Sequence, residues 1–275
     1  MSQYLFDKPK IIFLNHASFI IEFNNIKLLN DPYLFGSAFN NGWNLLKEEN
    51  HENQLKDITH IYISHEHPDH FSIPFLKSIS QSNQKKKIKI IYQKTFDKRV
   101  KKFCENLNFE FIEIDHLEKF EICENFNVQL GKVPFYDSWI HYEVNEQSIL
   151  NVNDCVLENE EVIYEIKKQI NKLDVLFTQF SYANYIPEEK KKYIAKKALE
   201  KIKTQDEVLK PLYIIPFASY VYFSHLENKN MNKNINTIEK TFEFLKLNCK
   251  AKPVILKPNE TWSFEKKDNT ESLLY

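Results

Sequence analysis

The 275 residues carry 43% hydrophobic, 14% aromatic and 27% charged side chains, a balance that supports a sizeable core and argues against disorder. The formal charge of -1 leaves no global positive field to hold nucleic acid or anionic lipid, so neither is an expected partner. Only three glycines occur, Gly36, Gly42 and Gly131, too few and too scattered for a dinucleotide-binding loop, a P-loop or a G-x-S-x-G nucleophile elbow.

Strands are expected over 11–14, 19–23 and 26–29, rich in branched and aromatic residues, with Asn24-Asn25 as a hairpin turn. A polar stretch to Asp57 precedes a strand over 58–64, and Ser72-Ile73-Pro74 opens a helix through Ser80 with proline in its first turn. A strand over 88–92, a helix near 95–106 and strands over 109–114, 126–130, 139–144 and 148–152 come next. A helix over 158–171, a buried strand over 175–178, a lysine-rich helix over 188–203, a strand over 212–215 and a helix near 237–247 complete the pattern. The reading is mixed α/β, one domain over residues 1–275, with the lysine run 85–87 as solvated surface and a frayed polar tail from about residue 266.

Cys104, Cys123, Cys155 and Cys249 form no C-x-x-C pair, and Asn15-His16 interrupts the apolar run 11–23, so a reducing cytoplasmic location with no leader is expected. No apolar run reaches the ~18 residues of a membrane span. No cysteine is followed two residues later by histidine, which leaves no Rieske pair among these residues. Arg99 is the one arginine, so a substrate phosphate would meet lysine, backbone amides or metal.

The chemistry concentrates in Ser64-His65-Glu66-His67-Pro68-Asp69-His70, which places three imidazoles and the Asp69 carboxylate in one loop after a strand. Imidazoles this close repel when protonated, and a cation resolves the conflict. Nitrogen and carboxylate donors suit zinc, iron or manganese, and the H-x-H spacing lets His65 and His67 reach one ion while Asp69 and His70 reach a second.

H-x-H-x-D-H at a strand end resembles the metallo-β-lactamase superfamily, which implies an αββα sandwich, two mixed sheets flanked by helices, with a dinuclear site at one edge. Further segments, among them Asn30-Asp31-Pro32-Tyr33, Gly42-Trp43, Asn151-Val152-Asn153-Asp154-Cys155 and Pro216-Phe217-Ala218-Ser219-Tyr220 running on to Ser224-His225, resemble the catalytic domain of CMP-N-acetylneuraminate hydroxylases. Two ions need more ligands than the loop offers, and an anionic bridge holds them ~3.5–4 Å apart. Asp154, after the strand over 148–152, matches the bridging aspartate, with a turn aspartate as the alternative, and His225 matches the histidine that completes the second ion, with a surface histidine as the alternative. Asp137 and His141 compete for the remaining position. Asp137, at the strand entrance, resembles the hydroxylase carboxylate and is preferred, whereas His141 reads as strand packing.

His16, in Asn15-His16-Ala17-Ser18, resembles a G-H-A-S segment that approaches the site, as a supporting, substrate-contacting or catalytic residue. Asp31 is placed to orient a ligand histidine or cap a turn. Trp43, Tyr182 and Tyr185 are weak substrate-binding candidates, with plain packing as the alternative for the tyrosines. The resemblance implies iron-dependent hydroxylation of a sugar nucleotide or related acyl or amino sugar, with electrons from a ferredoxin or Rieske partner. One alternative is zinc- or manganese-dependent hydrolysis of a phosphodiester, ester, amide or lactone with Asp69 or Asp154 positioning the attacking water, and another is a non-catalytic metal-bearing subunit.

Overall fold

The computed structural model describes residues 8–82 and 87–264, so Lys85, Lys86 and the tail from residue 266 lie outside it. Period-two alternation without a polar face dictates the layering. In Lys10–Asn15, Ile11 and Phe13 join one apolar cluster while Ile12 and Leu14 join another, and in Ser18–Phe23 the side chains of Phe19, Ile21 and Phe23 part in the same way from Ile20. Strands buried on both faces need a layer on each side.

One seven-stranded sheet runs in the order Thr261–Trp262, Lys10–Asn15, Ser18–Phe23, Ile26–Asn30, His60–Tyr62, Lys89–Gln93 and Glu110–Ile114. The other runs Lys252–Pro253, Tyr213–Phe217, Val175–Gln179, Gln147–Asn151, Asp137–Val144, Phe126–Val133 and Lys119–Cys123. Each is part parallel and part antiparallel. Between them lies the main core, where the Phe19 and Phe177 rings stack 4.0 Å apart across the sheets. Helices Ile73–Ser80 and Arg99–Asn106 cover the first sheet through Phe75, Leu76, Ile79, Val100 and Cys104. Helices Glu160–Gln169, Lys191–Leu209 and Ile238–Asn248 cover the second through Ile163, Ile166, Leu199, Ile202 and Leu245. The architecture is the expected αββα sandwich. No helix among the described residues is long and apolar enough to cross a membrane.

Local signals hold where residues dictate conformation. Asn24 takes the left-handed φ of 50° that the hairpin turn needs, and the Ser72 hydroxyl accepts from the Phe75 N–H to cap the helix ahead of Pro74. Other bounds move. The helix near 95–106 begins only at Arg99, the lysine-rich helix runs Lys191–Leu209 after a 3-10 turn, and the strand over 58–64 shrinks to His60–Tyr62. Lys119–Cys123 is an unforeseen edge strand whose residues are exposed or half-buried, so no apolar face announced it.

The topology gathers the carboxyl ends of the parallel strands Ile26–Asn30, His60–Tyr62, Gln147–Asn151 and Val175–Gln179 at one rim, where ligands collect in open α/β sheets. Asp137–Val144 runs antiparallel to Gln147–Asn151, so its first residue reaches the same rim. Buried polar bonds lock the sheets there. Tyr142 and Asn151 both donate to Asn30 Oδ1, Tyr62 to the Ser138 carbonyl, and the Ser138 hydroxyl to the Ser64 carbonyl at 2.7 Å.

Candidate metal centre

The loop from His65 to His70 folds back on itself, with the His70 and Phe71 N–H groups donating to the His67 carbonyl. This tight turn aims the side chains at one chamber. His65 Nε2 lies 2.9 Å from His67 Nδ1, and His65 Nδ1 lies 3.3 Å from Asp137 and 3.8 Å from Asp154 Oδ1. His65, His67 and Asp154 bring ligand atoms within 4.8 Å of one another, as a second group does: His16, Asp69 and His70. In that second group Asp69 Oδ2 is 3.3 Å from His16 Nε2 and 3.5 Å from His70 Nε2. Asp154 joins the two groups, since its Oδ1 also lies 3.6 Å from His70 Nε2. That is the position a bridging carboxylate needs.

The chamber has the electrostatics of a cation site. Asp69 Oδ1, Asp154 Oδ1 and His16 Nδ1 are buried without a hydrogen-bond partner, a costly arrangement for carboxylates unless something positive faces them. Burial opposes ionisation of Asp69, yet His70, His16 and His65 outweigh it and hold the carboxyl below its usual range. Burial likewise opposes charging of His70, but Asp154, Asp69 and Asp31 carry its pKa well above the ordinary value. The donor set fits divalent cations.

Support comes from beneath. Asp31 is fully buried and accepts from the Ser64 N–H at 2.7 Å, from the Ser64 hydroxyl at 2.8 Å and from His70 Nδ1 at 2.9 Å, which turns His70 Nε2 towards the chamber. Ser64 was not among the candidates from sequence. Its hydroxyl also lies 3.0 Å from His65 Nδ1, so one small side chain touches the orienting carboxylate and two ring systems. The S-H-E-H spacing is the only signal that could have marked it. His16, Asp31 and Asn153 all take left-handed backbone angles, at φ 38°, 36° and 36°, a concentration of strain typical of functional rims.

His225 departs from expectation. Ser224 is tied to Gly42 and Asn41, and the turn closed by the Asn228 and Lys229 N–H groups on the His225 carbonyl leaves its ring half exposed beside Glu227, outside both ligand groups. His16 stands with Asp69 and His70 instead. His141 is buried away from the groups, with Nε2 2.7 Å from the Ser148 hydroxyl, which fits the strand-packing reading. Asp137 does reach His65, from the strand entrance.

A cleft of about 940 Å³ opens onto the centre, within the range of small-molecule sites. His65, His67, Asp69, Asp137 and Asp154 line its floor, and Trp43, Tyr182 and Tyr185 line its walls. Trp43 and Tyr182 are also packed in an apolar satellite cluster, whereas Tyr185 is exposed.

The family model described as a beta-lactamase superfamily domain matches residues 10–218. The chain belongs to that superfamily. Among curated relatives, it is 28% identical over 297 residues to the inactive cytidine monophosphate-N-acetylneuraminic acid hydroxylase of Homo sapiens, covering 97% of this chain and 57% of the relative. It is 27% identical to the cytidine monophosphate-N-acetylneuraminic acid hydroxylase of Cricetulus griseus, covering 97% of this chain and 50% of that protein. The chain thus spans about half the length of the curated relatives it matches. The fold matches CmlA, a diiron beta-hydroxylase from Streptomyces venezuelae, at TM-score 0.67 and 13% identity over 94% of this chain and 54% of that one. A possible metal-dependent hydrolase from Veillonella parvula matches at TM-score 0.69 and 14% identity over 94% of this chain and all of that one. Superfamily membership and the donor set together make this a metalloenzyme fold whose rim holds His and Asp groups able to bind metal.

Proposed function

We propose that these residues form the dinuclear-metal catalytic unit of an oxygenase that hydroxylates a sugar nucleotide or a related acyl or amino sugar. Two divalent ions, iron in preference to zinc or manganese, would be held by His65, His67 and Asp137 on one side and by Asp69, His70 and His16 on the other, across Asp154, and would supply dioxygen activation. The observation that carries this reading is Asp137 at 3.3 Å from His65. It raises the carboxylates around the chamber to three, Asp69, Asp137 and Asp154, and a harder, more anionic donor set favours iron or manganese over zinc. Asp31 and Ser64 fix the ligand rings, and the Trp43 and Tyr182 walls exclude water from a bound sugar. Likeness to the Cricetulus griseus hydroxylase over nearly the whole chain supports the substrate class. Electrons would come from a ferredoxin or Rieske donor outside these 275 residues.

The test is oxygen consumption by anaerobically iron-loaded protein with a chemical reductant. Consumption stimulated by CMP-N-acetylneuraminate or another sugar nucleotide, with a product one oxygen heavier, is the expected result. A second reading, hydrolysis of a phosphodiester, ester, amide or lactone, draws on Asp69 Oδ1, which is buried, unpartnered and placed to orient a water. No substrate-stimulated uptake, together with zinc-dependent turnover of a chromogenic phosphodiester or ester that Asp154→Ala abolishes, would replace the first reading with the second.

A further inference from the structure

Helix Lys191–Leu209 and the 3-10 turn before it present one face to the cleft: residues 190, 194, 197, 198 and 201 follow a helical period and all line it. Three of the five are lysines, with Ile194 and Ala198 as the apolar ground between them. Lys197 is half exposed and lies 3.7 Å from Glu158. Lys201 differs. It is 8% exposed and lines the cleft, and no side chain among the described residues forms an ion pair with its ammonium. Its Nζ is not among the enclosed polar atoms that lack a partner, so the side chain is largely covered while the ammonium stays open to the cleft.

The carboxylates that act on the Lys201 ammonium are Asp154, Glu158 and Asp137. Glu158 already faces Lys197, and Asp154 and Asp137 are committed to the centre in the reading above. Two divalent ions held on the floor would be offset in part by Asp69, Asp137 and Asp154, and with the Lys201 ammonium on the wall the cleft would favour an anionic occupant. We propose that Lys201 is the substrate-anion site of this cleft, pairing with a carboxylate or phosphate of a small molecule whose remainder lies over the metal centre, with Lys197 as the outer, solvent-screened contact.

This proposal rests on the reading of the rim as a metal centre, and its test is binding, not turnover. CMP supplies the phosphate alone and N-acetylneuraminate the carboxylate alone, each titrated calorimetrically into wild-type and Lys201→Met protein, with and without added manganese. The expected result is saturable binding of at least one probe, weakened about tenfold or more by Lys201→Met and largely recovered by Lys201→Arg. Which probe responds identifies the anion. In wild-type protein the same probe should protect Lys201 from reductive methylation, a readout that needs no variant. Equal affinity in wild type and Lys201→Met, or no saturable binding of either probe at millimolar concentration, overturns the assignment. Lys201-dependent binding in a protein that shows no substrate-stimulated oxygen uptake would leave this site standing and remove the oxygenase reading.

Discussion

Asp31→Asn is the most informative single change, because it preserves volume and turns one acceptor oxygen into a donor. Asp31 accepts three bonds at 2.7, 2.8 and 2.9 Å in a fully buried position, one of them from His70 Nδ1. With Nδ1 bearing the proton, the neutral ring keeps Nε2 as a lone pair for a cation, facing Asp69 and Asp154. An asparagine can still accept the Ser64 N–H through its carbonyl, but its amide then points at the Ser64 hydroxyl and His70 Nδ1. The hydroxyl can rotate to accept. His70 can accept only by moving its proton to Nε2, which closes the ligand position. One charge-assisted bond is lost outright, about 1.5–3 kcal/mol of folding stability, and metal affinity should fall about 10- to 100-fold. Competition against a chromogenic chelator reads the affinity, metal analysis the stoichiometry, and urea denaturation of chelator-treated protein the stability. Wild-type affinity and two ions per chain in Asp31→Asn would refute the argument that Asp31 sets the His70 tautomer.

Three further outcomes are expected. His16→Asn, which keeps a residue tolerant of the left-handed backbone, should lower metal content towards one ion per chain, whereas His225→Ala should leave it unchanged, and the reverse pattern in metal analysis would return His225 to the second group. Gly131→Ala should destabilise the fold by about 2 kcal/mol and shift tryptophan fluorescence, because a Cβ there would overlap the Trp139 ring on the neighbouring strand, and an unchanged melting temperature would contradict this packing. His60 and His141 are held neutral in the fold, each pushed down to about 4 by burial, so the unfolded chain binds more protons between the folded and unfolded values. Stability should be full above about pH 6.5 and fall as pH drops towards 4, by on the order of 2–3 kcal/mol per ring. His141→Gln should flatten the dependence of the urea midpoint over that window, and a slope equal to wild type would refute the assignment for His141.

The residues that chain neighbours constrain were legible in the sequence. His65, His67, Asp69 and His70 fall in one loop, so the proximity that makes them ligand candidates is already covalent. The runs 11–14 and 19–23 foretold strands, and Ser72-Ile73-Pro74 foretold a helix start, because each depends only on local geometry. Asp154 and Asp137 were legible one step further out, as carboxylates at strand ends that match the family resemblance. Residues whose direction depends on a distant turn were not. His16 and His225 are both histidines beside a strand end, and only the turn at Ser224, anchored to Gly42 and Asn41, sends one ring to solvent while the other meets Asp69 at 3.3 Å. Ser64 and Lys201 were silent for the same reason. A serine hydroxyl acquires three partners, and a lysine in a lysine-rich helix comes to line a cleft, only when strands and helices far apart in the chain close around them. Sequence thus determined the kind of chemistry, through residue types and their local spacing. The tertiary structure alone decided which side chains share it, because burial and side-chain direction are properties of the packed molecule.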